Sequence, residues 1–422
     1  MSSELSHGLL LLEQGRLEDA ESCFIGLLAR EPENDFVHSR LAVCRMQQPG
    51  RKKDALESIE NAIQLRPDDD YYHGLKSLIL SGLYRSKEAL ESADLAISMN
   101  PDSSFNYGAK AAALCELHRW AEAEENCRVA LSIDPYDSNA SHILTNVLRL
   151  QGKSDENQLA VDVQLSENPE SAYAHLNAGW AALQKRDHRK AEEHFREALR
   201  LDSSMDSART GLIESFKARS WFYRMYLSYC FFMQRFTGKG QWGIIIGAYI
   251  AYQLLRVPLR QIGGKWAEFT LIGLWLTLIL WIWLAPGIGN FLICLDRSAR
   301  RALLKSEVIH GLWIGISLIV GIPLLAYGIL RPYIPFTPLG AMFLASTIPA
   351  TMTFSNESRK GRLVFGGILA LVLGCGIVSS AIIFSAGVNT ERAENLLVTM
   401  IVVSALSTWL GNVPALRRDD SG

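Results

Sequence analysis

The sequence has no CxxC pair, no HExxH and no group of histidine and cysteine at metal-ligand spacing, so neither a redox dithiol nor a zinc site is expected. Its seven cysteines (23, 44, 115, 127, 230, 294 and 375) are scattered and point to reduced, mostly buried thiols. A phosphate-binding GxxxxGK[ST] loop is missing. The stretch FTGKGQWG (236–243) has a Gly-Lys pair, but no strand precedes it and Gly240 stands in the Ser/Thr place, so it reads as a turn. No GxSxG elbow occurs, and Asp187, His188, Glu192 and Glu193 read as a charged, solvated helix face. An enzyme is therefore not expected, nor any cofactor or metal. The chain opens MSSELSHGLLLLEQGRLEDAE, which lacks a basic n-region, so no signal peptide is expected and the first half should stay in the cytosol.

Charge is absent from long stretches of the second half. Six runs, 240–255, 269–295, 308–330, 332–356, 363–390 and 395–416, contain no Asp, Glu, Lys or Arg, and His310 is their one imidazole. Pumps, carriers and intramembrane proteases usually keep ionisable groups inside spans. Their lack argues against transport or intramembrane chemistry.

What is present divides in two. Residues 1–205 carry 34 acidic and 22 basic side chains; residues 206–422 carry 10 and 20. The net charge of −2 thus hides halves of −12 and +10, which implies two different solvents. The −12 half disfavours nucleic acid as a partner.

Five prolines, Pro32, Pro67, Pro101, Pro135 and Pro169, are spaced 35, 34, 34 and 34 residues apart. Around them recur small and large apolar residues. The first unit has Gly8, Leu11, Ala20, Phe24 and Leu27; the sixth has Ala178, Gly179, Ala182, Ala191, Phe195 and Ala198. The extra residue of the second unit falls in its QQPGRKK turn. The fifth unit departs from the pattern, with Asn157 and Gln164 where small residues are expected, so its second helix should pack loosely or bend the superhelix. The sixth has Ser203 in place of proline, so its last helix need not stop there and can lead into a capping helix, GLIESFKARSW.

This pattern resembles the tetratricopeptide-repeat superfamily, over about half of the chain. The resemblance implies helix–turn–helix units stacked as a solenoid, whose first helices line an inner wall that binds protein or peptide. At the lining positions stand Phe36, Ser39, Val43, Tyr71, Leu78, Phe105, Ala112, Cys115, Asn139, His142, Asn146, Arg149, Tyr173, Leu176 and Trp180. Of these, Tyr71, Phe105, Asn139, Asn146, Tyr173 and Trp180 are the candidate partner contacts. The superfamily's chaperone-tail receptors carry a Lys/Asn clamp, and here Leu5, Leu9, Ser39, Val43, Gly74 and Leu78 replace it.

In WFYRMYLSYCFFMQRF (221–236) eight of sixteen residues are aromatic and only Arg224 and Arg235 are charged, which predicts a helix lying at a membrane interface. Beyond it, a span needs about 20 apolar residues. The first run, with 16, is short, and Pro338 and Pro349 weaken the fourth, so four to six spans are expected. In the four-span variant, runs one and two form a shallow hairpin. Basic clusters at 296–305 and 357–362, with Arg417 and Arg418, place those loops and both termini in the cytoplasm; Arg256, Arg260 and Lys265 are the one discordant loop. Three rows of small residues, Gly243/Gly247/Ala251, Gly311/Gly315 and Gly366/Ala370/Gly374, mark close helix contacts within the chain or between copies as a homo-oligomer.

The expected architecture is all-α: a solenoid over 1–205, a capping and an interfacial helix over 206–239, a multi-span membrane domain over 240–416 and a cytoplasmic tail, 417–422. The layout resembles bacterial membrane-anchored repeat proteins. The expected function is a scaffold that recruits a protein or peptide segment to the bacterial inner membrane; the alternative is a transporter or channel regulated by its repeats.

Overall fold

The computed structural model describes residues 3–236, 238–297, 299–330, 335–356, 358–386, 390–411, 413 and 416; the tail 417–422 lies outside them. Ten helices pair two by two: α1 (Ser3–Glu13) with α2 (Leu17–Leu28), α3 (Asp35–Gln47) with α4 (Lys52–Leu65), α5 (Asp70–Gly82) with α6 (Ser86–Met99), α7 (Ser104–Glu116) with α8 (Trp120–Ile133), and α9 (Ser138–Gln151) with α10 (Ser154–Glu167); the sixth repeat contributes α11 (Ala172–Gln184) and α12 (His188–Leu201). Then follow α13 (Asp206–Lys217), α14 (Trp221–Gln234), α15 (Gly238–Leu295), α16 (Lys305–Leu330), α17 (Phe336–Phe354), α18 (Arg359–Ala386) and α19 (Glu391–Leu410). The chain forms two compact units. One runs to Ala181 and includes Arg200–Ser203; the other comprises Ala182–Leu199 and the chain from Ser204 onward.

The first unit shows why the repeat uses small residues where it does. A Cβ on Gly8 would come within 2.8 Å of the Phe24 ring, so α1 can approach α2 only through glycine. Phe24, Ala20, Ala55, Ile59, Ala89, Ala93, Ala123 and Cys127 are fully buried between helices. Burial of Phe24 alone is worth roughly 3 kcal/mol. Asn34, Asp69 and Asp137 accept hydrogen bonds from the first free backbone N–H groups of α3, α5 and α9.

Two further devices recur at the repeat spacing. The turn between the paired helices holds one residue in the left-handed region in every unit: Gly15, Gly50, Tyr84, His118, Gly152 and Arg186, with φ of 56–77°. And the histidine six residues after the proline returns a ring nitrogen to the proline carbonyl, His38 to Pro32 at 2.9 Å, His73 to Pro67 at 2.8 Å and His175 to Pro169 at 3.0 Å. The fifth unit buries its polar positions. Asn157 and Gln164 are buried, and Gln164 Oε1 accepts from Asn177, whose own Oδ1 meets His142 Nδ1 at 3.0 Å.

Helix α12 stops at Leu201 without a proline, and a separate helix, α13, starts at Asp206. Gly211 of α13 sits directly on the Phe195 ring, at a distance no Cβ would allow. Helix α14 turns Tyr223, Leu227 and Phe231 inward and leaves Trp221, Met225 and Phe232 exposed. Its Phe222, Tyr226 and Tyr229 surround Trp281 at 6.0–6.4 Å.

Among the described residues, five helical segments are long and apolar enough to cross a membrane: Gly240–Ile262, Gly264–Leu295, Lys305–Leu330, Arg359–Ala386 and Glu391–Leu410. The first corrects the short 16-residue run. Helix continues through Pro258 to Ile262, about 34 Å, and the next segment starts at Gly264, whose φ of 66° and ψ of −165° break α15 in two. The halves fold back, with Tyr252 stacked on Trp275 at 5.0 Å and Arg256 Nε 2.6 Å from Glu268. Arg260 also reaches Glu268, at 3.4 Å, so two of the three discordant basic residues are helical arginines that share one carboxylate.

The fourth run gives α17, which is not among the five. Pro338 lies in its first turn, where no backbone N–H is needed, and Pro349 is accommodated inside an unbroken helix. Helix α17 packs on α16, α18 and α19, and buries Gly340, Met342, Ser346, Thr347 and Ala350. Of the three small-residue rows only Gly311/Gly315 is occupied closely: a Cβ on Gly311 would lie 2.7 Å from the Asn290 backbone, while Gly243, Gly247 and Gly374 have nothing within 4 Å.

Candidate functional site: the wall formed by the first helices

The first helix of each repeat touches its successor, α3 with α5, α5 with α7 and α7 with α9, so these helices form one continuous wall. Position two of α3, α5 and α7 carries Phe36, Tyr71 and Phe105. Tyr71 stacks on Phe105 with centroids 5.0 Å apart and planes 30° apart. The Arg40 guanidinium lies 5.0 Å from both the Phe36 and the Tyr71 ring centroids. Four side chains from three repeats thus make one row of ring, cation, ring, ring. Each contact of this kind contributes about 0.5–1.5 kcal/mol. Gly74 permits the row, since a Cβ there would lie 2.8 Å from Phe105.

A second group forms on α9 and α11. The Tyr173 ring, 53% exposed, lies 5.0 Å from His142. Arg149 stands over the Trp180 ring at 5.8 Å and donates to Asn146 Oδ1 at 2.7 Å. Burial pushes the Arg149 guanidinium down to about 10. It also lowers His142, although the Asn177 hydrogen bond opposes the shift. Asn139 is exposed at the start of α9, with Nδ2 3.9 Å from the place a Gly108 Cβ would take.

The six candidates therefore fall in two groups, Tyr71 with Phe105 and Asn146 with Trp180 and Tyr173, with Asn139 standing alone. Ser39 and Leu176 do not line the wall; both are buried, and the Ser39 hydroxyl donates to the Phe36 carbonyl. Arg40 escaped the sequence reading because it lies outside the repeat's usual lining positions. The signal available was its i, i+4 spacing from Phe36, which puts ring and guanidinium on one helix face.

The second unit holds a smaller buried polar group. His310 Nε2 meets Thr351 Oγ1 at 3.0 Å, and Asn290 Nδ2 lies 3.4 Å from His310 Nδ1. Nearby, Glu214 accepts from Lys217 at 2.9 Å and from the Tyr223 hydroxyl at 2.8 Å. Burial raises the Tyr223 phenol well above its usual range. Arg219 joins Glu192 at 2.9 Å to Asp296 at 2.7 Å. Among the described residues no three His, Cys, Asp or Glu side chains come together as a metal set.

Two family models match the chain, both described as tetratricopeptide repeat, over residues 11–79 and 172–204. The solenoid is a tetratricopeptide-repeat domain. Similar solved structures include a tetratricopeptide repeat protein from Parabacteroides merdae (16% identity, TM-score 0.44, covering 50% of this chain and 81% of that one). Another is a thermophilic TPR protein of Thermus thermophilus (17%, 0.40, 43% and 98%). A third is pilF of Pseudomonas aeruginosa (17%, 0.38, 49% and 94%). No curated protein matches the chain. Proteins of this superfamily generally act as non-catalytic scaffolds for protein interaction.

Proposed function

We propose that the chain is a membrane-anchored scaffold whose repeat wall recruits a segment of a partner protein. The observation that carries this reading is the row Phe36–Arg40–Tyr71–Phe105, aromatic and cationic groups gathered on one wall with Phe36 still 39% exposed. Aromatic and arginine side chains are the groups that anchor protein interfaces. Tyr173, Trp180, Asn139 and Asn146 extend the same wall. Anchoring raises the partner's effective concentration at the lipid surface.

The bilayer is the second partner. The hairpin in α15, the three later apolar helices and α17 make six passes, with both termini on one side. Support comes from the His310–Thr351 bond, which puts the start of α16 beside the end of α17, and from Asn356 Nδ2, which donates to the Leu416 carbonyl at 2.9 Å. The basic clusters 296–305 and 357–362 then share one end of the bundle, the cytoplasmic one of a bacterial inner membrane. Helix α14, with Trp221 and Phe232 outward, lies at that interface. The open Gly243/Gly247 row is left for a helix of a second copy.

A transporter remains the second reading, favoured by the buried Asn290–His310–Thr351 group. Affinity purification of full-length protein from detergent extract, beside a Tyr173→Ala, Trp180→Ala variant with unchanged circular dichroism, separates the two. The scaffold predicts a partner held by the parent and lost by the variant. Identical retention by both, with solute flux from 240–416, would favour the transporter.

A further inference from the structure

The net charge of −12 on the first 205 residues conceals a sorting of charge between the two helices of the first five repeats; α12 of the sixth, with 3 acidic and 4 basic residues, does not share it. The second helices, α2, α4, α6, α8 and α10, carry 16 acidic and 4 basic residues. The first helices, α1, α3, α5, α7, α9 and α11, carry 5 and 5. The acid of the domain is therefore on its outer layer. Three of the five wall cations are already neutralised by that layer: Arg45 by Glu21 at 2.8 Å, Lys76 by Glu60 at 2.9 Å and Lys110 by Asp94 at 2.8 Å. The two others, Arg40 and Arg149, belong to the two aromatic groups of the wall.

Three of the wall's acids have partners as well. Glu4 pairs with Arg30, Asp35 with Arg66 and the Tyr72 hydroxyl, and Asp70 accepts from Asn106. Arg40 differs from all of these. Its hydrogen bond is a long one, Nε to Ser39 Oγ at 3.5 Å, and among the described residues no carboxylate lies within ion-pair distance of it. A guanidinium flanked by the Phe36 and Tyr71 rings has a fixed plane, and its outer N–H edge matches a carboxylate bidentately.

We infer that the wall takes an extended acidic segment of a partner protein, with a carboxylate on Arg40 and flanking apolar side chains on Phe36, Tyr71 and Phe105. This rests on the recruiting role proposed above and adds the partner's chemistry. It runs against the net charge of the domain, which by itself would select a basic partner.

The test uses the full-length protein in detergent micelles and a random-sequence 12-residue synthetic peptide library. Retained peptides are sequenced by mass spectrometry and compared with the input. Expected are at least threefold enrichment of Asp plus Glu with the parent, loss of that enrichment in Arg40→Gln, and partial retention in Arg40→Lys, which keeps the charge and loses the planar fork. Tighter capture in 50 mM than in 500 mM salt is also expected. Enrichment of Lys and Arg, or acidic enrichment unchanged by Arg40→Gln in a folded variant, overturns the inference and leaves the recruiting wall intact. Displacement of the peptides by oligo-dT at equal concentration would reassign the wall to single-stranded nucleic acid. Retention by the parent no greater than by detergent micelles without protein would overturn both readings.

Discussion

Replacing Gly50 with alanine and Arg186 with glycine should move stability in opposite directions, although both lie in the same place in their repeats. Each holds the left-handed turn after the first helix, with φ of 77° and 65°. A side chain in that region costs about 1–2 kcal/mol, while glycine costs about 0.5–1 kcal/mol in unfolded-chain entropy. The balance is roughly 0.5–1 kcal/mol against Gly50→Ala and by the same amount in favour of Arg186→Gly. The space around the turn does not confuse the comparison: nothing lies within 4 Å of a Cβ at Gly50, and Arg186 is exposed. Urea unfolding of the full chain, followed by circular dichroism at 222 nm in detergent, gives the readout. With a slope of about 2 kcal/mol/M, the midpoints should shift by roughly 0.3–0.5 M, down for Gly50→Ala and up for Arg186→Gly. Shifts of the same sign, or none above 0.1 M, would refute the idea that backbone handedness sets the cost of this turn.

Further outcomes follow from other contacts. His73→Ala removes a buried bond to the Pro67 carbonyl and should destabilise the solenoid by about 1 kcal/mol, read as a lower urea midpoint, while the exposed His7→Ala should be silent. Gly311→Leu forces a side chain into the Asn290 and Phe291 backbone and should cost about 2 kcal/mol or more, measured as a lower midpoint of SDS-induced unfolding. Burial raises the Glu21 carboxyl, but hydrogen bonds from Arg45 and Gln48 and the charge of Arg51 outweigh it, so the folded group titrates below 4.5. Its stabilisation is then complete above that value and lost as pH falls through the folded pKa. Melting temperature should drop below pH 4.5, and Glu21→Gln should flatten that slope while lowering the plateau.

Much of the architecture could be read from residues. The proline spacing marked the ends of α2, α4, α6, α8 and α10, because a proline that ends a helix leaves a mark at a fixed place. The left-handed turn was equally legible at Gly15, Gly50 and Gly152, but Tyr84, His118 and Arg186 hid the period by accepting strain. The His–Pro bonds were hidden in the same way, since only three of six repeats use them. In the second half, counting charge-free residues cut the first span at Arg256. The fold shows that a carboxylate twelve residues on, Glu268, lets helix continue. Helix α17 looked weak because hydropathy assumes lipid all round, whereas its neighbours are other helices. Among the candidate contacts, equal repeat positions put Tyr71 and Phe105 on one wall, and their stacking is seen in the fold. Arg40 did not, because a position-by-position template assigns side chains to faces without asking which long ones can reach a ring.

The account stands or falls on where a partner touches the chain in its membrane. A photo-crosslinking amino acid placed in the full-length protein, in cells, at Phe36, Phe105 or Trp180 on the wall, or at Leu159 on the outer layer, measures this directly. Leu159 is 68% exposed and so equally open to a partner. The account predicts a common membrane-fraction adduct from the three wall positions and none from Leu159. An adduct from Leu159 with none from the wall would contradict it.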